Sequence, residues 1–108
     1  MQISAVIITF NEEENIASCI ESIEEVCDEI VVVDSLSTDK TIEIAEKCPK
    51  VKVYSQKWLG YVEQKNYANS LTSFNTILSI DADELLSQQL KESILKLKEL
   101  DENLLKVY

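Results

Sequence analysis

Apolar residues along this chain fall into short runs that alternate between a strand period and a helix period. Ile3 to Thr9 is a nearly continuous β-branched run, as expected of a strand buried on both faces. Asn11-Glu-Glu-Glu14 follows and reads as a helix cap with acids in the first turn. Ile16, Cys19, Ile20 and Ile23 then recur on one face of an amphipathic helix. Ile30-Val-Val-Val33 predicts a second buried strand ended by Asp34, and Ser35 to Asp39 a polar turn. Thr41, Ala45 and Cys48 mark a second helix face stopped at Pro49. Val51 to Tyr54 alternates as a more exposed strand at a sheet edge. Gly60 opens a weaker helix through Leu71, and Phe74 to Ile80 predicts a fourth strand. Beyond Ser87, a cap candidate, Leu90, Ile94 and Leu97 form another helical stripe, and Asn103 to Tyr108 reads as the start of one more strand. Strands alternating with helices imply right-handed βαβ units and a parallel sheet covered on both faces. With one Gly, one Pro and no repeats or linkers, residues 1–108 read as a single α/β domain.

Composition narrows what such a domain can do. The 108 residues are 45% hydrophobic and 28% charged, enough for one real core. Ten Lys, no Arg, no His and twenty acids give a formal charge of −10. That balance argues against nucleic acid and against a polybasic membrane contact. A phosphate-bearing ligand would need local help from a cation. No apolar run approaches the roughly 18 residues of a membrane span, and the first residues lack a basic leader. Three cysteines without metal-type spacing suggest small buried hydrophobes in a reducing cytoplasm. Without His, acid–base chemistry falls to carboxylates, Lys, Tyr or Cys.

Four places carry candidate chemistry. Thr9-Phe-Asn-Glu12 lies where strand one turns toward a helix, and backbone amides at a helix start can hold a base or phosphate. Asp34 ends strand two, where a carboxylate can accept hydrogen bonds from a base or ribose. Gly60-Tyr-Val-Glu-Gln-Lys-Asn66 puts one Lys beside amides that together could neutralise a diphosphate. Asp81-Ala-Asp83 ends strand four with two carboxylates at i and i+2, on one side of an extended chain. Hard oxygen ligands of this kind suit Mg²⁺ or Mn²⁺. Each place also has an ordinary reading: Asn11 as a cap, Asp34 as a cap, a solvated helix face, an acidic turn. Their order along the chain is what makes them informative. No Gly-rich dinucleotide or P-loop fingerprint occurs.

Taken in that order, Thr9-Phe-Asn-Glu12, Val31-Val-Val-Asp-Ser-Leu-Ser-Thr-Asp-Lys-Thr41, Gly60-x-x-x-Gln-Lys-Asn66 and Leu78-Ser-Ile-Asp-Ala-Asp83 resemble the donor half of a family 2 glycosyltransferase. The nearest type is the bacterial lipopolysaccharide-core glucosyltransferases, and the match runs through essentially the whole chain. The resemblance implies a Rossmann-like GT-A fold, ending before the acceptor half, that binds a nucleotide-diphospho-sugar. It implies that Thr9, Phe10, Asn11 and Glu12 surround the nucleoside and that Asp34 binds the base, usually uracil. Lys65 and Asn66 would lie near the diphosphate. Asp81 would approach ribose and metal, and Asp83, second acid of the Asp-x-Asp motif, would be the main ligand of Mg²⁺ or Mn²⁺. The implied partners are a UDP-sugar and a saccharide or lipid-linked acceptor of cell-envelope or lipopolysaccharide synthesis. The implied setting is the cytoplasm or the inner face of the plasma membrane, with inversion at the anomeric carbon.

Two departures stand out. Where the family often has Asp-Asp-Gly-Ser, this chain has Asp34-Ser-Leu-Ser37. The family's catalytic base belongs to the acceptor half and is expected beyond Tyr108, since Glu84, Asp101 and Glu102 do not match it by position. A non-catalytic domain binding nucleotide-sugar or a protein partner is therefore the alternative. Apolar surface around Leu104, Leu105 and Val107 would favour a homo-oligomer. Phospho-receiver domains and Asp-nucleophile phosphatases want their key Asp after strand one, where this chain has Thr9-Phe-Asn.

Overall fold

The computed structural model describes the backbone of residues 1–107 and the side chains of residues 1–101. Four strands, β1 (Ile3–Thr9), β2 (Glu29–Asp34), β3 (Val51–Ser55) and β4 (Thr76–Ser79), alternate with four helices. The helices are α1 (Ile16–Ile23), α2 (Thr41–Ala45), α3 (Tyr61–Ser70) and α4 (Gln88–Val107). All strand pairs are parallel, in the order β3-β2-β1-β4.

The unbroken apolar runs of β1 and β2 follow from their central place, because both faces of each strand are covered. Ile3, Ala5, Ile7, Ile30 and Val32 pack with α1, Ala45 of α2, and Ile94 and Leu95 of α4. Val6, Val31 and Val33 point the other way, onto Tyr67, Ala68 and Leu71 at α3. Each fully buried Ile contributes about 1.5–3 kcal/mol of transfer free energy.

Topology places the functional end. The chain lays β2 and β3 on one side of β1, then returns to put β4 on the other. Right-handed crossovers require the connecting helix to change face when the direction reverses. That is why α3 lies opposite α1 and α2. The strand order reverses between β1 and β4, and the crevice at the carboxyl ends beside such a reversal is where open α/β sheets bind ligands.

Three expectations need correction. Asn11 does not cap α1: it adopts a left-handed φ of 51°, and the helix starts at Ile16 after Asn15, without a side-chain cap bond. β4 covers only Thr76–Ser79 of the expected Phe74–Ile80 strand; it is a short edge, mostly exposed, and among the described residues nothing pairs with its outer side. The segment from Asn103 is helical, since α4 runs to Val107. Leu104 and Leu105 continue the spacing of Leu90, Ile94 and Leu97, and no Gly or Pro intervenes to stop the helix. Tyr108 and the side chains of Leu104, Leu105 and Val107, on which the expected self-association turned, lie outside the described residues. β3 is the expected edge.

At the amino end of the sheet a buried carboxylate holds the start of β4 in place. Glu29 Oε2 accepts from Ser4 Oγ at 2.7 Å and from the Ser73 amide at 2.8 Å. Its Oε1 accepts from Ser73 Oγ at 2.9 Å and Lys52 Nζ at 3.1 Å. The Phe74 amide in turn donates to Ser4 Oγ at 3.2 Å. Burial opposes ionisation of Glu29, but the donors from Ser73, Ser4 and Lys52 outweigh it and hold its pKa at about 2. A depressed carboxylate stabilises the fold above its unfolded pKa and loses that contribution as pH falls toward the folded value. Glu29→Gln should therefore cost about 1–3 kcal/mol at neutral pH. In urea melts, the gap from wild type should shrink as pH drops from about 4.5 toward about 2; a gap independent of pH would contradict this account.

Candidate functional site

The loops after all four strands meet at the carboxyl edge of the sheet. Thr9 and Asp34 are the last register pair between β1 and β2, and both are buried. Asp34 Oδ1 accepts from Thr9 Oγ1 and from Ser37 Oγ, each at 2.6 Å, and Oδ2 accepts from the Ser37 amide at 2.8 Å. Three of a carboxylate's roughly four acceptor positions are thus filled. Ser37 Oγ also accepts from the Asn11 amide at 2.8 Å, while Asn11 Oδ1 accepts from the Thr38 amide at 2.8 Å. The Glu12 amide donates to Thr41 Oγ1 at 2.8 Å, and the Glu13 amide to Asp39 at 3.2 Å. The amides expected to face a ligand from a helix start are instead spent joining the first two loops. The reason is that α1 begins several residues later.

Leu36 sits in that second loop with φ 59°, a left-handed conformation that favours glycine. This is the position where the family pattern has Gly and this chain does not.

The second cluster crowns β4. Lys65 Nζ donates to Ser79 Oγ at 2.5 Å, lies 3.8 Å from Asp81 Oδ1 and sits 5.4 Å from the centre of the Tyr61 ring. Asp81 to Glu84 form a tight turn rather than an extended segment: the Glu84 amide donates to the Asp81 carbonyl, and the Asp81 amide to Glu84 Oε1, both at 2.9 Å. That corrects the expectation of two carboxylates on one side of a strand, although both Asp81 and Asp83 are exposed. The turn is moored to α1, with Cys19 Sγ 3.5 Å from the Asp81 carbonyl and the Leu86 amide donating to Ser22 Oγ at 3.0 Å.

Cys19 reports the local field. Burial, followed by the charges of Glu84, Asp83, Asp81 and Glu12, pushes its thiol up to about 12. Four acids therefore act on one buried point from the first and fourth loops. No group of three or more His, Cys, Asp or Glu converges as a metal cage among the described residues. Two exposed Asp in one tight turn, Asp81 and Asp83, are of the donor type that a hard divalent ion keeping waters and taking phosphate oxygens would use.

Not every expected residue joins these clusters. Phe10 is 58% exposed and lines a cavity of about 370 Å³ with Ser35 and Trp58. Asn66 is exposed on α3, outside both hydrogen-bonded clusters described above. Gln64, expected on a solvated polar face with Lys65 and Asn66, is instead fully buried and bonded at three points to two loops, those after β2 and β3. It lies four and seven residues before Ala68 and Leu71, so the helical period itself marked its buried face.

Residues 4–105 match the family model for glycosyl transferase family 2. The chain belongs to that family. It is 50% identical over 93 residues to an uncharacterized glycosyltransferase of Rickettsia conorii, covering 86% of this chain and 33% of the relative. It is 40% identical over 96 residues to the lipopolysaccharide core biosynthesis glycosyltransferase LpsC of Rhizobium meliloti, covering 85% and 35%. The chain spans about a third of the length of these curated relatives. Its fold is that of the GT-A glycosyltransferases. It superimposes on Staphylococcus aureus TarS residues 1–349 with TM-score 0.75 and 27% identity, over 92% of this chain and 33% of TarS. A second match is Mycobacterium tuberculosis glucosyl-3-phosphoglycerate synthase, solved with Mn²⁺, UDP and glucosyl-3-phosphoglycerate. There the TM-score is 0.66 with 31% identity, over 75% of this chain and 33% of that one. No helix among the described residues of this family 2 chain is long and apolar enough to cross a membrane.

Thiol chemistry checks the site's packing. Cys27 is also raised by burial, to about 11, whereas Cys48 is only half-buried. With a neutral alkylating reagent at pH 8, Cys48 should label in the native protein and Cys19 and Cys27 only on unfolding. Rapid native labelling of Cys19 would contradict its place beneath the acidic turn.

Proposed function

We propose that this chain is the donor-binding part of an inverting, metal-assisted glycosyltransferase. Its donor is a nucleotide-diphospho-sugar, UDP-linked, and its acceptor a saccharide or lipid-linked sugar of the cell envelope. The observation that carries the reading is the meeting of Lys65, Ser79 and Asp81, two residues before Asp83 in the chain, at the strand-order reversal. In a chain of net charge −10, a cation at this edge supports the reading, because a diphosphate would otherwise be repelled.

On this reading Lys65 releases Ser79 and Asp81 to bind the diphosphate, with Asn66 one residue further along α3. Asp83 is the main ligand of Mg²⁺ or Mn²⁺ and Asp81 shares the ion or the ribose. When bound, the ion supplies positive charge that stabilises the departing diphosphate. Thr9, Asn11 and Glu12 hold the nucleoside-side loops together through their bonds to Asp34, Ser37, Thr38 and Thr41. Phe10 meets the base, and the remaining acceptor position on Asp34 Oδ2 takes a base N–H once the Leu36 turn shifts. The metal-bound and UDP-bound structure of the synthase supports this donor class, and similarity to LpsC supports an envelope acceptor. Three free thiols support a cytoplasmic setting, in solution or at the membrane's inner face.

The reading assigns the base to none of the described carboxylates. Asp101 pairs with the amino terminus at the far end of the sheet, and Glu84 is occupied by the Asp81 amide. A non-catalytic nucleotide-sugar-binding module is the second reading, since none of the described carboxylates takes the place of the base. Transfer of labelled sugar by the chain itself would exclude it.

Calorimetric titration of UDP and UDP-glucose, with and without Mn²⁺, tests the donor site. Asp83→Ala should erase the Mn²⁺-dependent part of the affinity, roughly 10- to 100-fold. Lys65→Ala should weaken binding with and without metal alike, by about 1.5–3 kcal/mol. Failure of the folded wild type to bind either nucleotide would sink the proposal.

A further inference from the structure

Two half-exposed aromatic rings, Phe10 and Trp58, line one cavity of about 370 Å³ together with Ser35. A scattered exposed aromatic is ordinary. These two come from different loops, after β1 and after β3, and the loop carrying Trp58 is held by a buried polar side chain. Gln64 Oε1 accepts from the Leu59 amide at 3.1 Å. Its Nε2 donates to Ser35 Oγ at 3.0 Å and to the Gln56 carbonyl at 3.3 Å. The Gln56 amide donates onward to the Asp34 carbonyl at 2.9 Å. One amide group thus ties both ends of the Trp58 loop to the Asp34–Ser35 turn. Burying it in this way is favourable only because both its oxygen and its nitrogen find partners.

We propose that Trp58 is the second wall of the nucleobase site, opposite Phe10, and that Gln64 is a positioning residue that sets the gap between them. The inference rests on the donor-binding reading above and adds to it the residues that read the base. The cavity is apolar, of a size that ordinarily holds a small ligand. A flat heteroaromatic ring gains from stacking on such faces whatever its edge pattern. Selectivity for one base then comes from polar groups at the rim, Ser35 being the one in the lining.

Trp58 is the only tryptophan in the chain, so the site carries its own probe. UDP and uridine should quench its emission with the midpoint that calorimetry gives, and pyrophosphate should leave it unchanged. Trp58→Ala should weaken UDP binding by roughly 5- to 100-fold while leaving pyrophosphate binding as it was. Trp58→Phe should restore most of the loss. Gln64→Leu, shown by circular dichroism to be folded, should copy Trp58→Ala in this base-selective loss and shift the emission to the red as the loop is released. Equal weakening of UDP and pyrophosphate by Gln64→Leu would overturn the positioning role; should that variant not fold, Gln64→Glu, which keeps the acceptor and loses the donor, takes its place under the same criteria. UDP binding by calorimetry with unchanged emission and unaltered affinity in Trp58→Ala would overturn the inference and leave the donor site standing. Absence of UDP binding by the folded wild type would overturn both.

Discussion

The carboxyl edge of this domain depends on how one buried carboxylate is satisfied. Asp34 has no contact with solvent, so its charge must be met by donors from the protein. Thr9 supplies one from the neighbouring strand and Ser37 two from the turn that follows. Ser37 can do so only if the chain turns sharply at Leu36, and that turn brings Thr38 within reach of Asn11. Asn11 in turn must adopt a left-handed conformation, which delays α1 and frees the Glu12 and Glu13 amides to close the remaining gap. A single charge requirement therefore fixes the course of two loops. Through Ser35 and Gln64 it extends to a third.

The opposite requirement governs the other half of the edge. Around Asp81 the charges are left exposed and incompletely matched, with one Lys against several acids. The turn itself is rigid, held by reciprocal bonds between Asp81 and Glu84 and moored to α1 through Cys19 and Ser22. Unmatched charge on a fixed frame has electrostatic free energy to gain from an incoming ion, with little reorganisation to oppose it. One half of the edge is thus self-satisfied and fixed in shape, while the other carries charge that its own neighbours leave unmatched.

Most of the fold was legible because the central strands are covered on both faces and so read as unbroken Ile and Val runs. The edges were legible only in part. Phe74 to Ile80 carries the same residues as a buried strand, yet only its middle pairs, and on one side alone. The end of the chain was misread because a few apolar residues suit either period, and only their phase with Leu97 distinguishes helix from strand. At the site, residue types were readable but their partners were not. Asn tolerates a left-handed turn better than most residues, yet it is equally a good helix cap, and only the bonds to Ser37 and Thr38 from another loop decide between the two. Gln64 was visible in principle, on the same helical face as Ala68, but a polar letter beside Lys65 and Asn66 hid its burial.

The two edges of the sheet differ in how they are guarded. β3 carries Lys52, whose solvated ammonium discourages another strand from pairing alongside. Thr76 to Ser79 of β4 contains no charge and no proline, and Ile77 is exposed. Among the described residues its outer backbone donors and acceptors face no partner strand, the arrangement that takes up a further strand. Of the sheet's two edges, the open one runs straight into the Asp81–Glu84 turn, so any strand added there would lie against the candidate site.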